Sequence, residues 1–276
     1  MQADATAEPT TSTTPTAGTA GAADAAQSQS PAINRIGRAD LIDALRRGRA
    51  DFMAKPSHAV FLCIIYPLVA LIASRLTFGY EVLPILFPLC AGFALVGPVA
   101  ALGLYEMSRR REQGEVPKWA HAFEIRHSPA MRPIAHLALV LAAFFVLWLA
   151  VAQILYSLTL GISPSSVGGF LDQLFTTGAG WALIVLGNGV GLLFAVAVLS
   201  ISVVSFPMIL DRHVDAATAV RTSMRAVRQN PGAMAGWGLI VAGSLVLGTI
   251  PAFVGLALVV PILGHATWHL YRKTVA

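Results

Sequence analysis

Residues 229–271 read QNPGAMAGWGLIVAGSLVLGTIPAFVGLALVVPILGHATWHLY and contain no Asp, Glu, Lys or Arg. A helix that crosses the hydrocarbon core of a bilayer needs about 20 mostly apolar residues. The stretch is long enough for two crossings, and Pro251, close after Gly248, favours a turn between them. We therefore interpret these residues as two membrane-spanning helices.

The rest of the chain has the same character, with 56% hydrophobic and only 12% charged residues. Soluble domains carry roughly 25% charged residues, so the composition predicts an all-α, polytopic membrane protein. Four further segments are long and apolar enough to span a membrane: 59–78, 82–105, 134–157 and 180–210. Together with residues 229–271 they predict six transmembrane helices in a domain that covers residues 33–276.

Residues 1–32 are rich in Ala, Thr, Ser and Pro and contain no aromatic residue. Such a segment cannot bury enough apolar surface to fold, so it predicts a disordered tail. It also lacks the basic start and apolar stretch of a signal peptide, which keeps the tail on the side of synthesis. Cys63 and Cys90 both lie in apolar segments and do not indicate a disulfide framework or a thiolate metal site.

The basic residues predict the orientation, because cytoplasmic loops accumulate Lys and Arg. With six spans, 18 of the 19 basic residues fall at the two ends or in the second and fourth connections, and only Arg75 does not. This predicts a multi-pass membrane protein with both termini in the cytoplasm. The net charge of +5 follows from this topology, so it implies anionic lipids at the cytoplasmic face and no nucleic-acid partner.

An internal threefold repeat is visible over residues 39–105, 116–210 and 215–273. Each odd-numbered span follows a basic stretch of helical periodicity and a proline, which is Pro56, Pro133 or Pro231. We interpret the three stretches as short amphipathic helices that lie in the membrane interface. In the first copy, Leu41, Ile42 and Leu45 would form the apolar face. The alternative is that these are ordinary loops with incidental periodicity.

The even-numbered spans also end alike. GPVAALGLYEMSRR (97–110) aligns with VPILGHATWHLYRK (260–273), and a shorter version, SFPMILDR, occupies residues 205–212. The positions that we interpret as structural, together with the prolines of the previous paragraph, are Pro98, Tyr105, Arg109, Pro207, Pro261, Trp268 and Arg272. Repeated units in one bundle can frame a central seam or cavity, although a purely structural array gives the same pattern.

His265 and His269 lie one helical turn apart and are the candidates for a metal or haem site. The aligned positions in the other copy are Leu102 and Glu106, so a duplicated ligand pair is absent. Histidine, tryptophan and tyrosine at span ends commonly form an amphipathic belt, which is the alternative that we favour. We therefore predict no cofactor and no metal.

Catalytic motifs are absent from the sequence, and every Asp and Glu falls at a span end or outside the spans. The chain therefore reads as a protein that is not an enzyme and not an ion-coupled pump. Gly187 and Gly191 form a GxxxG pattern around Asn188, which predicts close helix packing and an interhelical hydrogen bond.

The motifs GPVAALGLYEMSRRREQGE, SFPMILDRHVDAATAVRTS and PILGHATWHLYRK resemble those of DUF2189, a family of bacterial integral membrane proteins of unknown function. The resemblance covers about residues 33–275. It implies a six-helix inner-membrane protein of Gram-negative bacteria, with no catalytic residue to transfer. Some members bear a cytochrome c oxidase label.

Three functions fit these observations. The first is a non-enzymatic scaffold, assembly or envelope-maintenance factor with a membrane-protein partner. The second is a carrier of small molecules or lipids that uses the seam between the repeats. The third is an accessory protein of a cytochrome oxidase that binds haem or copper through His265 and His269.

Overall fold

In the computed structural model, the described residues are 31–56, 88, 92, 95, 97–116, 118, 121, 125, 128–161, 167–251 and 255–276. Within these residues the protein is all-helical, and residues 32–276 belong to one compact unit. The predicted tail, apart from Pro31 and Ala32, lies outside the described residues. So do the predicted span 59–78 and half of the predicted span 82–105.

The described helices run in chain order as follows: α1 Arg38–Ala54, α2 Leu102–Glu112, α3 Met131–Thr159, α4 Val167–Thr176, α5 Gly178–Ser202, α6 Ser205–Arg212, α7 Ala216–Gln229, α8 Pro231–Thr249 and α9 Leu256–Thr274. The expected division of residues 229–271 is confirmed, because α8 ends at Thr249 and α9 begins at Leu256.

Three segments of the described chain are long and apolar enough to cross a membrane: Met131–Thr159, Gly178–Arg212 and Pro231–Thr249. They contain the predicted spans 134–157 and 180–210 and the first half of 229–271. The protein is therefore an integral membrane protein with several apolar helices. The second half of residues 229–271 forms α9, which is not among the three.

Helix α1 packs along α9, and the fit depends on small residues. Leu41, Ala44 and Gly48 recur at helical spacing on its buried face. A Cβ atom on Gly48 would lie 2.5 Å from the backbone nitrogen of Ala266, so only glycine permits this approach. Ile42 was expected on the same face but is 55% exposed, since its position is turned away from α9.

The ends of α2, α6 and α9, which carry the three copies of the proline motif, contact one another. Large side chains close the space between them, and Phe206, Trp268 and Tyr271 are almost fully buried. Asn230 adds the start of α8 to this end, because its side chain bonds the backbone of residues 34 and 36. The core of the described protein therefore lies at one end of the spans.

Candidate functional site

The same end of the spans carries a layer of paired polar side chains, which we call the polar collar. Its members are Asp40, Asp43, Glu112, Asp211, Trp268, Tyr271, Arg272 and Lys273. The Tyr271 hydroxyl donates to Asp211 at 2.7 Å, and the Trp268 indole donates to Glu112 at 3.0 Å. Asp211 lies at the end of the span Gly178–Arg212, so these bonds place the polar collar at that end.

Beneath the polar collar, α1, α2 and α9 enclose what we call the buried cluster: Asp51, Ser108, His265 and His269. One oxygen of Asp51, Oδ2, accepts from the Ser108 hydroxyl at 2.6 Å and from His269 Nε2 at 2.8 Å. Its other oxygen accepts from Arg111 at 2.9 Å. The Ser108 oxygen also lies 2.7 Å from Nδ1 of His265.

These contacts determine the charge of the carboxylate. Burial raises the pKa of Asp51, but the hydrogen bonds from His269 and Ser108 outweigh burial and hold that pKa below its usual value. Asp51 is therefore ionised at neutral pH, and both of its oxygens act as hydrogen-bond acceptors.

The ionised carboxylate in turn decides the tautomer of His265. Ser108 has a single hydroxyl hydrogen, and this hydrogen is donated to Asp51. The Ser108 oxygen can therefore only accept from His265, which must carry its proton on Nδ1. His265 is enclosed by protein, and a second proton on Nε2 would create a buried charge without a partner, so the ring is neutral and Nε2 keeps a lone pair. That nitrogen is buried and has no hydrogen-bond partner among the described residues.

His265 lines a pocket of about 190 Å³ between these helices. Its other walls combine both signs of charge with apolar surface: Asp51, Ala54, Lys55, Met107, Arg111, Glu115 and Val116. A second and larger cavity, of about 490 Å³, lies along α1 and α9 beside Arg46 and Arg49.

The two histidines predicted as metal candidates come together in the buried cluster, yet they use different nitrogens for different partners. His265 bonds Ser108 through Nδ1, whereas His269 bonds Asp51 through Nε2. The described residues contain no group of three or more His, Cys, Asp or Glu placed to hold a metal ion. The belt interpretation does not fit, because His265 and Trp268 are enclosed by protein.

The predicted structural positions fall at helix boundaries and in the core. Pro231 begins α8, Pro133 lies in the first turn of α3, Pro207 lies in the first turn of α6, and Pro56 follows the end of α1. Pro261 lies inside α9, and Pro98 is helical. Tyr105 is buried. The partners of the two aligned arginines differ, since Arg109 pairs with the buried Glu106 and Arg272 pairs with Glu112 and Asp211.

The GxxxG segment of α5 lies on the outside of the described helices. Asn188 is exposed, and its amide donates to the backbone oxygen of Ile184 in its own helix. A Cβ on Gly191 would meet the Trp148 ring at 3.2 Å, whereas one on Gly187 would have nothing within 4 Å. Only Gly191 of the pair is thus close to another helix.

Sequence reasoning missed Asp51 and Ser108. Asp51 did give a signal, since it shares the helical spacing of Leu41, Ala44 and Gly48 and so lies on the buried face of α1. A carboxylate on such a face needs a partner in the core. Ser108 gave none, because a small hydroxyl residue next to three arginines reads as solvent-exposed.

Part of the chain matches a known protein family. The family model for DUF2189, a predicted integral membrane protein, matches residues 86–211. This stretch belongs to DUF2189. The resemblance seen in the sequence is therefore confirmed over these residues, and the DUF2189 stretch includes Ser108 and Arg111, whereas Asp51, His265 and His269 lie outside it. No curated protein and no solved structure matches the chain.

Proposed function

We propose that the chain is a six-span, multi-pass protein of the bacterial inner membrane, built from three repeated units, that acts as a non-enzymatic scaffold, assembly or envelope-maintenance factor. The observation that carries this proposal is the polar collar. Its hydrogen bonds and ion pairs join the ends of α2, α6 and α9, one from each unit. Its charged groups therefore stabilise the bundle.

Two observations support the orientation with both termini in the cytoplasm. Ile33 pairs with Val275 through the backbone, and the nitrogen of Ala276 donates to the oxygen of Ala32. The beginning and end of the domain therefore lie on the same side, as an even number of spans requires. The polar collar on that side also contains Arg272 and Lys273, and basic residues accumulate on the cytoplasmic side of membrane proteins.

The hydrogen bonds of Ser108 support a role without catalysis. In a nucleophilic serine, the hydroxyl donates its proton to the lone pair of a histidine, which acts as the base. Here the hydroxyl proton points to Asp51 and the histidine donates to the serine oxygen. This order activates no nucleophile.

Exposed side chains on the spans support a membrane-protein partner. Large apolar residues with at least half of their surface exposed occur along three helices: Leu139, Val146 and Leu158 on α3, Val185, Leu192 and Leu193 on α5, and Leu239, Val246 and Leu247 on α8. Lipid tails cover such faces, and so can the helices of another membrane protein.

The orientation is tested by labelling single cysteines in a background in which Cys63 and Cys90 are serine. Gly168→Cys lies in the connection that we assign to the outer side, and Ala276→Cys lies at the C terminus. A membrane-impermeant maleimide should label the first in intact spheroplasts and the second only after permeabilisation. Labelling of Ala276→Cys in intact spheroplasts would contradict the proposed topology.

The role is tested by gentle purification of the tagged protein from its native membrane, followed by mass spectrometry, optical spectra and metal analysis of one sample. A second membrane protein recovered in fixed ratio is expected for a scaffold. Recovery of no companion protein counts against this role. Haem or stoichiometric copper that is lost in a His265→Ala, His269→Ala variant would instead favour the oxidase accessory function. Substrate-specific uptake into vesicles would favour the carrier.

A further inference from the structure

The pocket beside His265 carries an inference that goes beyond the scaffold role and does not depend on it. Its decisive atom is Nε2 of His265, an unprotonated nitrogen that is buried without a partner among the described residues. A buried acceptor without a hydrogen bond is costly, so natural proteins seldom leave one. Because His265 lines the pocket, a group in the pocket that reaches this nitrogen with an N–H or O–H donor would supply the missing bond.

The rest of the buried cluster holds this nitrogen in place. Nδ1–H of His265 donates to Ser108, Ser108 donates to Asp51, and Asp51 is held by Arg111 and His269. Such a chain fixes both the tautomer and the orientation of an imidazole, as it does for histidines that bind ligands through the other nitrogen. The lone pair of His265 Nε2 therefore has a fixed direction before a ligand binds.

Charges of both signs line the same pocket. On the negative side, Glu115 pairs with Arg110 at 3.3 Å and is half exposed. On the positive side, Lys55 makes no ion pair within the described part of the chain. Arg111 donates hydrogen bonds to described residues only through its Nη1 atom. Since an arginine has five N–H donors, it retains capacity for an anion. The pocket thus offers acceptors for a cation beside donors for an anion.

The volume limits the size of the occupant. A pocket of about 190 Å³ has room for about six water molecules at roughly 30 Å³ each. This suits a small polar group, either free or at the end of a larger molecule. Ala54, Met107 and Val116 add apolar walls that fit short methylene segments.

We propose that this pocket binds a phosphoethanolamine group, whose ammonium donates to His265 Nε2 and lies near Glu115 while its phosphate lies against Lys55 and Arg111. The group is the headgroup of phosphatidylethanolamine and also exists as a free small molecule. The pocket lies next to the polar collar at the end of a span, which gives it access to either source.

The test uses the full-length protein in detergent and native mass spectrometry with short-chain phosphatidylethanolamine. Phosphatidylcholine is the first control, because its methylated ammonium has no N–H to donate. Phosphatidylglycerol, which has no ammonium, is the second. Phosphatidylethanolamine should bind at least about tenfold more tightly than either, as expected for a hydrogen bond to a charged group. Equal binding of the three lipids would overturn the proposal.

Substitutions assign the binding to the pocket. His265→Phe keeps a ring but removes the acceptor, and it should weaken phosphatidylethanolamine binding roughly tenfold or more. His136→Phe is the matched control, because His136 is exposed on α3, and it should bind like the parent protein. Unchanged affinity in a folded His265→Phe protein would refute the assignment.

A measurement on the unaltered chain covers the case in which His265→Phe does not fold. With ¹⁵N-labelled histidine, the Nε2 signal of His265 should begin at the position of an unprotonated nitrogen and shift when phosphatidylethanolamine is added. A signal that does not respond at saturating lipid would overturn the proposal. Titration with free phosphoethanolamine then separates the sources: a matching shift assigns the soluble molecule, and a shift with the lipid alone assigns the headgroup.

Discussion

The end of the spans that carries the polar collar and the middle of the spans hold the same helices together in different ways. Beyond the end of α5, the side chains of Phe206, Met208 and Leu210 are at most 2% exposed, whereas Leu193, in α5 itself, is 69% exposed. Lipid tails solvate the middle of a span as well as protein does, so apolar burial does not drive association there. The contacts that hold the described helices together are therefore concentrated at one end.

The largest expected effect comes from Asp51→Ala. This change leaves Arg111, His269 and Ser108 without their common acceptor. Losing the two partly buried hydrogen bonds, from His269 and Ser108, costs about 3–6 kcal/mol, at about 1.5–3 kcal/mol for each bond to a charged group. The free energy of unfolding in detergent should fall by that amount. Asp172→Ala, at an exposed position on α4, is the control and should leave the free energy nearly unchanged. Similar losses of unfolding free energy in Asp51→Ala and Asp172→Ala would show that the contacts at this end do not hold the helices together.

Acid should act on the same cluster. Burial raises the pKa of Asp51, but the hydrogen bonds from His269 and Ser108 hold that pKa below the usual value of 3.8. Below pH 3.8 the unfolded chain therefore binds a proton that the folded chain does not. Stability is complete above pH 3.8 and falls as the pH drops below it.

Melting temperatures of the parent protein and of Asp51→Asn across this pH range measure the contribution. The variant should show a shallower loss, because it has no carboxylate at this position to protonate. Parallel pH profiles would show that Asp51 is not the group responsible.

A smaller effect is expected where α1 approaches α9. Gly48→Ala places a methyl group against the backbone of Ala266, and overpacking of this kind costs about 1–3 kcal/mol. Gly187→Ala is the matched control on α5, where the added methyl group meets nothing within 4 Å. In thermal unfolding, the free energies of the two variants should differ by about 1–3 kcal/mol. A loss as large in Gly187→Ala would show that the spans pack more tightly than described.

The smallest effect is expected on the exposed faces of the spans. Leu239→Ala removes a side chain that is 74% exposed, and surface substitutions usually change stability by less than about 0.5 kcal/mol. Leu210→Ala, at a buried position, should cost about 2–5 kcal/mol in the same assay. A large loss for Leu239→Ala would indicate that a partner helix covers this face.

The elements that could be predicted from the sequence are those set by composition and length. The apolar runs predicted α3, α5 and α8, and Pro251 marked the division between α8 and α9, because hydropathy and proline act locally. The prediction for Ile42 was wrong because only one side of α1 packs on protein. No pattern within the seventeen residues of α1 shows on which side the partner helix lies.

The candidate site was only half predictable. HATWH drew attention to His265 and His269, but whether an imidazole donates, accepts or binds a metal depends on residues far away in the chain. Asp51 and Ser108 supply that information, and they lie 218 and 157 positions from the histidines that they contact. Pairings over such distances are a property of the fold and leave no local trace.

The pairing of α1 with α9 has a consequence for biogenesis. α1 is the first described helix to leave the ribosome, and its main partner is the last. At about 5–20 residues per second, the buried face of α1 waits roughly 10–40 s for α9 to be made. During that interval an apolar face stands uncovered at the membrane surface, where insertion factors and chaperones act. A chain truncated before α9 would remain in that state.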